Sequence, residues 1–400
     1  MNILIINSGS SSIKYQLFDM PSKRVICAGA IERIGSDEAI FKYKAKDVFV
    51  EEERKIHTHK RGLEEIADML RDTHKGVIKM ADEIHAVGHR VVHGGNRFSE
   101  TTLINKEVKE KISAFSTLAP LHNPANLEGI ILAEEIFPKA SQVAVFDTAF
   151  HQTMPKKAKK YAIPTALFTE HGIQAYGFHG TSHKYVSERA LEYLNQDNPK
   201  MISIHLGNGC SMTAIKNGKS VDHSMGFAPS NGLIMGSRSG DIDHSIVFHL
   251  TEQLGYGQHA VKEMLLKKSG LLGLTGYNDL RDIQAEAKKG NADCSLALEM
   301  SAYRIKKYIG AYTAAMNGLH AILFTAGIGE NSSILRKMVC QEMTYFGIEL
   351  DDFKNESGSS GIREINTASS RVKILVVPTN EELEIAQQTF ALCGKLGKGF

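Results

Sequence analysis

Asn7, Ser10, Ser12 and Lys14 fall within eight positions of one Gly/Ser-rich stretch, NSGSSSIK, directly after a short apolar run. Glycine lets successive backbone N–H groups approach an anion, and the hydroxyls and lysine add donors, so the stretch suits a phosphate. The same composition is also an ordinary way to join two strands. Two more glycine segments follow apolar runs: Leu206-Gly207-Asn208-Gly209 and Gly327-Ile328-Gly329-Glu330-Asn331. The chain has no GxxxxGK[ST] loop and no GxGxxG opening a helix after a strand, so neither common nucleotide fingerprint applies.

Charged side chains accompany these segments. Arg90 lies between histidines in GHRVVHGG, Arg238 in the small-residue loop MGSRSGDID, and His179 in the glycine turn YGFHGTSH. Asp147 ends an apolar run, and Glu381 follows VVPTN in the same kind of place. Phosphoryl transfer needs positive charge around the equatorial oxygens and a metal bridging the donor phosphates. Arginine's planar fork suits the first task, and one or two carboxylates suit magnesium. Each residue also has a plainer reading: a solvated arginine, a satisfied structural histidine, an acid capping the next helix.

The elements that position these residues repeat. ILII, IKYQLF and RVICAGAI read as three strands joined by short turns, followed by a charged helix near 60–73. A strand running into a glycine turn over 84–95, a helix near 126–133 and the strand 141–151 follow. MISIHLGNGCSMTAIKNGKSV restarts the plan, and setting Asn7 against Leu206 gives an offset of 199 residues, half the chain. Helices at about 244–268 and 293–319, the strand 321–327, and a final strand, turn and helix over 372–390 complete it. This predicts an α/β chain made of two copies of one βββ-then-αβ unit, with the ligand in the cleft between them. The predicted division is 1–150, completed by the C-terminal helix near 384–400, and 151–383. A duplication without a functional cleft is the alternative.

Length, at 400 residues, agrees with two domains, and a net charge of +2 with interspersed signs offers nothing to nucleic acid or an anionic membrane. Five scattered cysteines without a CxxC predict reduced thiols and a cytoplasmic protein. No apolar run reaches the ~18 residues of a membrane span, and the apolar start is too short for a signal-peptide core.

Taken in order, NSGSSSIK, GHRVVHGG, FDTAFHQTMP, YGFHGTSHKYV, HLGNGCS, MGFAPSNGLIMGSRSGDID, SGLLGLTG, FTAGIGENS and PTNEEL resemble the acetokinase family, from residue 7 to residue 383. The resemblance implies a duplicated RNase H-like fold shared with sugar kinases, actin and Hsp70 chaperones. It also implies a homodimer, and reversible Mg²⁺-dependent transfer of the ATP γ-phosphoryl group to acetate, giving acetyl phosphate and ADP. Manganese is the expected substitute metal.

Carried onto this chain, the resemblance places Asn7 and Glu381 at the metal and Lys14 at ATP, with Ser10 and Ser12 facing the transferred phosphoryl group. Arg90 takes the substrate carboxylate and Asp147 is the active-site acid. His179 and Arg238 stabilise the transition state. His205, Leu206, Gly207, Asn208 and Gly209, then Asp279, Leu280 and Arg281, then Gly327, Ile328, Gly329, Glu330 and Asn331 hold the nucleotide. Val92, Leu121, Phe178 and Pro229 line a methyl-sized pocket, and valine at 92 favours acetate over propionate. One methylene is worth only about 1–3 kcal/mol, so a short-chain carboxylate kinase acting on propionate is the close alternative. A chaperone-type ATPase of the same superfamily is the distant one, and it needs no carboxylate-binding arginine.

A carboxylic acid with a pKa near ~4.3 is already ionised at neutral pH, so a base is not required to make the nucleophile. Asp147 is therefore expected to position magnesium or its waters. The sequence departs from the family pattern at His223, Asn231, His244 and Cys210. His223 and His244 are expected to act on the loop carrying Arg238, and Cys210 to make nucleotide binding sensitive to thiol modification.

Overall fold

The apolar run at the N-terminus becomes β1 (Asn2–Ser8), followed by β2 (Ser12–Asp19), β3 (Arg24–Glu32), β4 (Ser36–Ala45) and β5 (Val48–Ile56). β6 (Ala86–Val91), β7 (Thr102–Leu103) and β8 (Ser141–Phe146) complete a sheet of eight strands in the order β5-β4-β3-β2-β1-β6-β8-β7. The computed structural model describes residues 1–120, 122–358, 360–395 and 397. Leu121, expected in the methyl pocket, lies outside the described residues. Met1–Phe150 and the chain from Asn380 onward form one compact unit, and His151–Thr379 form a second.

In the first unit β1 is buried on both faces, which explains its unbroken apolar run. Leu4 and Ile6 join a core with Leu63 and Leu132, from the helices His59–Arg71 and Asn123–Ile136. Ile3 and Ile5 join another with Ile385 and Ala386, from the helix Glu381–Lys395. Gly88 on β6 permits that close packing: a Cβ there would come within 2.7 Å of Thr389 Oγ1 and 2.9 Å of Ile385 Cγ2.

The second unit holds β9 (Lys200–Leu206), β10 (Cys210–Lys216), β11 (Lys219–His223), β12 (Ala321–Thr325), β13 (Arg363–Glu364) and β14 (Lys373–Val376), in the order β11-β10-β9-β12-β14-β13. Its strand senses repeat those of the first sheet. β1 is antiparallel to β2 and parallel to β6, as β9 is antiparallel to β10 and parallel to β12. β8 and β14 follow in parallel, each with a short antiparallel edge strand.

The copies are not in perfect register. Four residues separate the paired Ser8 and Ile13 in the first hairpin, and three separate Leu206 and Cys210 in the second. A single ungapped offset of 199 therefore cannot align both strands of each hairpin. The helical stretch expected over 244–268 is two helices, Ser245–Glu252 and Gln258–Lys267, divided where Gly255 takes φ +71°. The expected glycine turn at 327–331 lies instead within a short helix, Ala326–Asn331. Among the described residues no helix is long and apolar enough to cross a membrane.

Candidate active site

Parallel strands β1, β6 and β8 end at one edge of the first sheet, the usual place for ligands in α/β folds. Asn7 sits at the end of β1 directly opposite Lys14 on β2, so the two side chains share a sheet face. The turn between them is closed by Gly9 N–H donating to Ser12 O at 2.8 Å, and His59 Nε2 lies 2.7 Å from the Gly9 carbonyl. Ser10 and Lys14 are exposed and Ser12 half-buried.

Arg90, on β6, donates from Nε (3.0 Å) and Nη2 (2.6 Å) to Oδ2 of Asp147, which follows β8. Its Nε also lies 3.7 Å from Glu381 Oε2, at the start of the last helix. Burial works against the Arg90 charge, but Asp147 and Glu381 more than offset it and hold its pKa above the ordinary value. Burial pushes Glu381 up to about 7; Arg90 opposes this and Asp147 adds to it.

The loop after β6 is fixed by residues that sequence reading missed. Asn126 Oδ1 accepts from Val92 N–H, and its Nδ2 donates to the Ser8 carbonyl at 2.7 Å, tying the ends of β1 and β6 together. Asn123 holds both the amide and the carbonyl of His93, and Thr148 Oγ1 accepts from Gly94 N–H. The glycines are required there: a Cβ on Gly94 would meet Phe146 at 2.8 Å, and one on Gly95 would meet Phe115 at 2.4 Å.

In the second unit His179 caps the helix Gly180–Leu194 in the left-handed conformation (φ 55°, ψ 27°), a strained backbone for a non-glycine residue. Two buried histidines hold the preceding residue. Phe178 N–H donates to His223 Nε2 at 3.1 Å, and the Phe178 carbonyl lies 3.0 Å from His151 Nε2. His223 therefore acts on the His179 turn, not on the Arg238 loop as its position in the chain had suggested. His244 is exposed and stacks edge-on with Phe248, away from any of these contacts.

His179 and Arg238 meet at Gly209. A Cβ on Gly209 would lie 3.3–3.4 Å from His179 Cε1 and Nε2 and 3.8 Å from Arg238 Nη1. Arg238 Nη1 also donates to the Pro229 carbonyl at 2.6 Å, and burial pulls the Arg238 pKa down. The His205 ring stacks on His179 with centroids 4.4 Å apart. Leu206 is buried, and the Asn208 carbonyl accepts from Gly236 N–H. A Cβ on Gly236 would run into Asn208 Oδ1, which explains that glycine.

Cys210 is buried, donates to the Gly207 carbonyl at 3.2 Å, and is pushed up to about 12 by burial. Burial weighs against the expected thiol sensitivity, since it both shields the sulfur and disfavours the reactive thiolate.

Of the remaining segments, Asp279 caps the helix Leu280–Lys288 and pairs with Arg281 at 2.6 Å. That hydrogen-bonded pairing holds the Asp279 carboxyl down at about 2. Leu280 is buried and Arg281 exposed. Asn331 Nδ2 donates to the Gly327 carbonyl, and Glu330 Oε1 accepts from Thr379 N–H. Buried Arg336 donates to the carbonyls of Gly329 and Glu330 and to Asn355. Ile328 belongs to the same short helix, and a Cβ on Gly327 would meet nothing within 4 Å.

Val92, with Asn7, Lys14, Arg90, Asp147 and Glu381, belongs to the first unit; Phe178 and Pro229, with His179 and Arg238, belong to the second. Among the described residues no group of three or more His, Cys, Asp or Glu side chains gathers closely enough to hold a metal. Asn7 and Glu381 offer hard oxygen donors, a set that fits a magnesium ion completed by phosphate oxygens and water.

Two sheets of one topology, glycine segments at strand ends, and an arginine held among acids define a kinase of the actin-like ATPase class. The chain matches the Acetokinase family over residues 2–387. It is 62% identical over 392 residues to an acetate kinase of Flavobacterium johnsoniae, covering 98% of this chain and 99% of that one. With an acetate kinase of Thermotoga maritima it shares 52% over 405 residues, spanning 100% of both. Among solved structures, Porphyromonas gingivalis acetate kinase superposes with a TM-score of 0.91 at 44% identity, covering 98% of this chain and 99% of that one. A propionate kinase from Francisella tularensis superposes with a TM-score of 0.92 at 44% identity and the same coverage. The chain belongs to the acetokinase family.

Proposed function

We propose that the protein transfers the γ-phosphoryl group of ATP reversibly to acetate, giving acetyl phosphate and ADP by direct in-line transfer. The observation that carries this reading is the Arg90 fork. Asp147 takes Nε and Nη2 and fixes the guanidinium plane, which supports a role for the remaining Arg90 donors in taking the substrate carboxylate. An ATPase without a carboxylate acceptor has no use for that arrangement.

His179 and Arg238, converging on Gly209, supply donors to the charge that develops on the transferred group. Lys14, Ser10 and Ser12 contact the phosphates. His205 to Gly209, Asp279 to Arg281 and Gly327 to Asn331 hold the nucleotide, while Val92, Phe178 and Pro229 bound the methyl group of acetate. Asn7 and Glu381 hold magnesium, which when bound offsets charge on the donor phosphates; manganese substitutes.

Acceptor choice is the point on which the relatives differ, since one structural neighbour is a propionate kinase. A coupled assay of ADP release with Mg-ATP and acetate, propionate or butyrate decides it. The highest kcat/KM is expected with acetate. A higher value with propionate would reassign the acceptor, and no carboxylate-dependent release would return the chain to the ATPase reading.

The protein is also proposed to be a cytoplasmic homodimer. Five buried cysteines, none in a disulfide, support a reducing compartment. Exposed Ile242, Ile246, Phe248, Leu254, Tyr256 and Tyr303 on the second unit support self-association. Sedimentation equilibrium showing a single 44 kDa species would overturn the dimer.

A further inference from the structure

Beneath His179 the hydrogen bonds converge on one hydroxyl. Ser211 on β10 is fully buried, and its Oγ lies 2.9 Å from His179 Nδ1 and 2.8 Å from His183 Nε2. The other ring nitrogen of His183, Nδ1, lies 2.8 Å from Ser203 Oγ, also fully buried. His183 itself is fully buried, one turn into the helix that His179 caps.

A hydroxyl carries one proton and two lone pairs, so Ser211 can donate to at most one of the two rings and accepts from the other or from both. Burial, with His151 and His205 nearby, pushes His183 well below its ordinary pKa, so this ring is neutral and carries a single N–H. Three proton arrangements satisfy these contacts. In the first, His183 Nε2–H donates to Ser211, Ser211 donates to His179 Nδ1, and Ser203 donates to His183 Nδ1. In the second every bond is reversed, in the third both rings donate to Ser211, and in either case a neutral His179 carries its proton on Nδ1 and has none on Nε2. Only the first lets a neutral His179 present an N–H beside Arg238 at Gly209, where the proposed reaction places an anionic phosphoryl group.

We propose that Ser211 and His183 are positioning residues that hold His179 as its Nε2–H tautomer, making it a hydrogen-bond donor to the transferred phosphoryl group without requiring a positive charge. Neither residue touches substrate in this scheme; both act through His179. The inference rests on the phosphoryl-transfer reading for His179's role, whereas the tautomer itself is measured independently of activity.

The test is long-range ¹H–¹⁵N correlation NMR on protein labelled with ¹⁵N-histidine, with a His179→Gln spectrum assigning the signal. Wild-type His179 is expected to show a pyrrole-type Nε2 and a pyridine-type Nδ1 at neutral pH. A pyridine-type Nε2, or two protonated nitrogens, overturns the proposal on the wild-type protein alone. Ser211→Ala is expected to turn the His179 signal into a tautomer mixture and lower kcat about tenfold, the scale of one neutral hydrogen bond at ~1.4 kcal/mol, with the KM for Mg-ATP unchanged. Ser211→Thr, which keeps the hydroxyl, is expected to restore both. A Ser211→Ala protein with the wild-type His179 pattern also overturns it. A wild-type chain with the expected tautomer but no carboxylate-dependent ADP release would sink the functional reading and leave the tautomer assignment standing.

Discussion

Arg90 and Asp147 meet at a single carboxylate oxygen: Nε at 3.0 Å and Nη2 at 2.6 Å both donate to Oδ2. Asp147 is 1% exposed and Arg90 21%, so the pair is shielded enough for its charge to count. The geometry makes Asp147 the orienting partner of the arginine, a role that needs its charge and not its basicity. Asp147→Asn is expected to lower kcat/KM for acetate roughly 10²-fold, by the same factor at every pH from 6 to 9. A pH–rate profile with a displaced acidic limb would count against this and for proton transfer.

Lysine cannot replace the Arg90 fork, because an ammonium offers a point charge where two directed donors are needed. Arg90→Lys should raise the KM for acetate about tenfold or more, as for losing a charge-assisted hydrogen bond of ~1.5–3 kcal/mol. The KM for Mg-ATP should move little. Initial-rate measurements with each substrate varied in turn separate the two.

Gly209 is the meeting point of His179 and Arg238, and a methyl group there would press on His179 and touch Arg238 Nη1 at ordinary contact distance. Gly209→Ala should therefore reduce turnover at least tenfold while leaving the fold intact, because the contacts are to side-chain ends and Gly209 is not in a left-handed conformation. Arg238→Ala should cost more, about 10²–10³ in kcat or ~3–4 kcal/mol of barrier, with nucleotide affinity little changed. Binding of ADP by titration calorimetry alongside kcat checks the split; a large affinity loss with normal turnover would reverse the assignment.

The parts of this protein that were legible in the sequence are local. Strands such as β1 and β9 announce themselves because both faces are buried, and the glycine segments follow them directly. β4 and β5 were overlooked because one face of each is wet. SDEAIFKYKA and VFVEEERKI scatter acids and lysines through the apolar positions, and the alternation is easily taken for a charged loop. The histidine cluster was invisible for a different reason. His151, His183 and His223 come from a 3-10 turn, a helix and a strand that meet only on folding, and nothing in their spacing says so. Arg336 is similar: a buried guanidinium with carbonyl partners leaves no companion acid to notice.

Five cysteines are all buried and none forms a disulfide, and burial pushes the thiols of Cys27, Cys210 and Cys340 each up to about 12. The native enzyme should therefore react slowly with a disulfide reagent at pH 8, whether or not nucleotide is present. Denatured protein should react rapidly at all five. Fast labelling of Cys210 that ATP suppresses would contradict the buried setting described for it.

His89 makes the first unit's stability depend on pH. It lies on β6, 2% exposed, with Nε2 2.8 Å from Gln142 Oε1, and burial lowers its pKa to about 4 despite that hydrogen bond. Above pH ~6.5 neither folded nor unfolded chain carries a proton there. Between ~6.5 and about 4 the unfolded chain takes up a proton that the folded chain refuses, so stability falls as pH falls, by about 1.4 kcal/mol per unit for this group. From pH 6.5 to pH 5 the loss from His89 alone is then about 2 kcal/mol. Buried His93, also lowered to about 4, steepens the same window. His89→Gln removes one titrating group, so the variant's denaturation midpoint should shift less between these pH values than the wild type's, whatever the substitution does to stability at pH 7. Equal shifts in the two proteins would mean that His89 is protonated alike in the folded and unfolded chains.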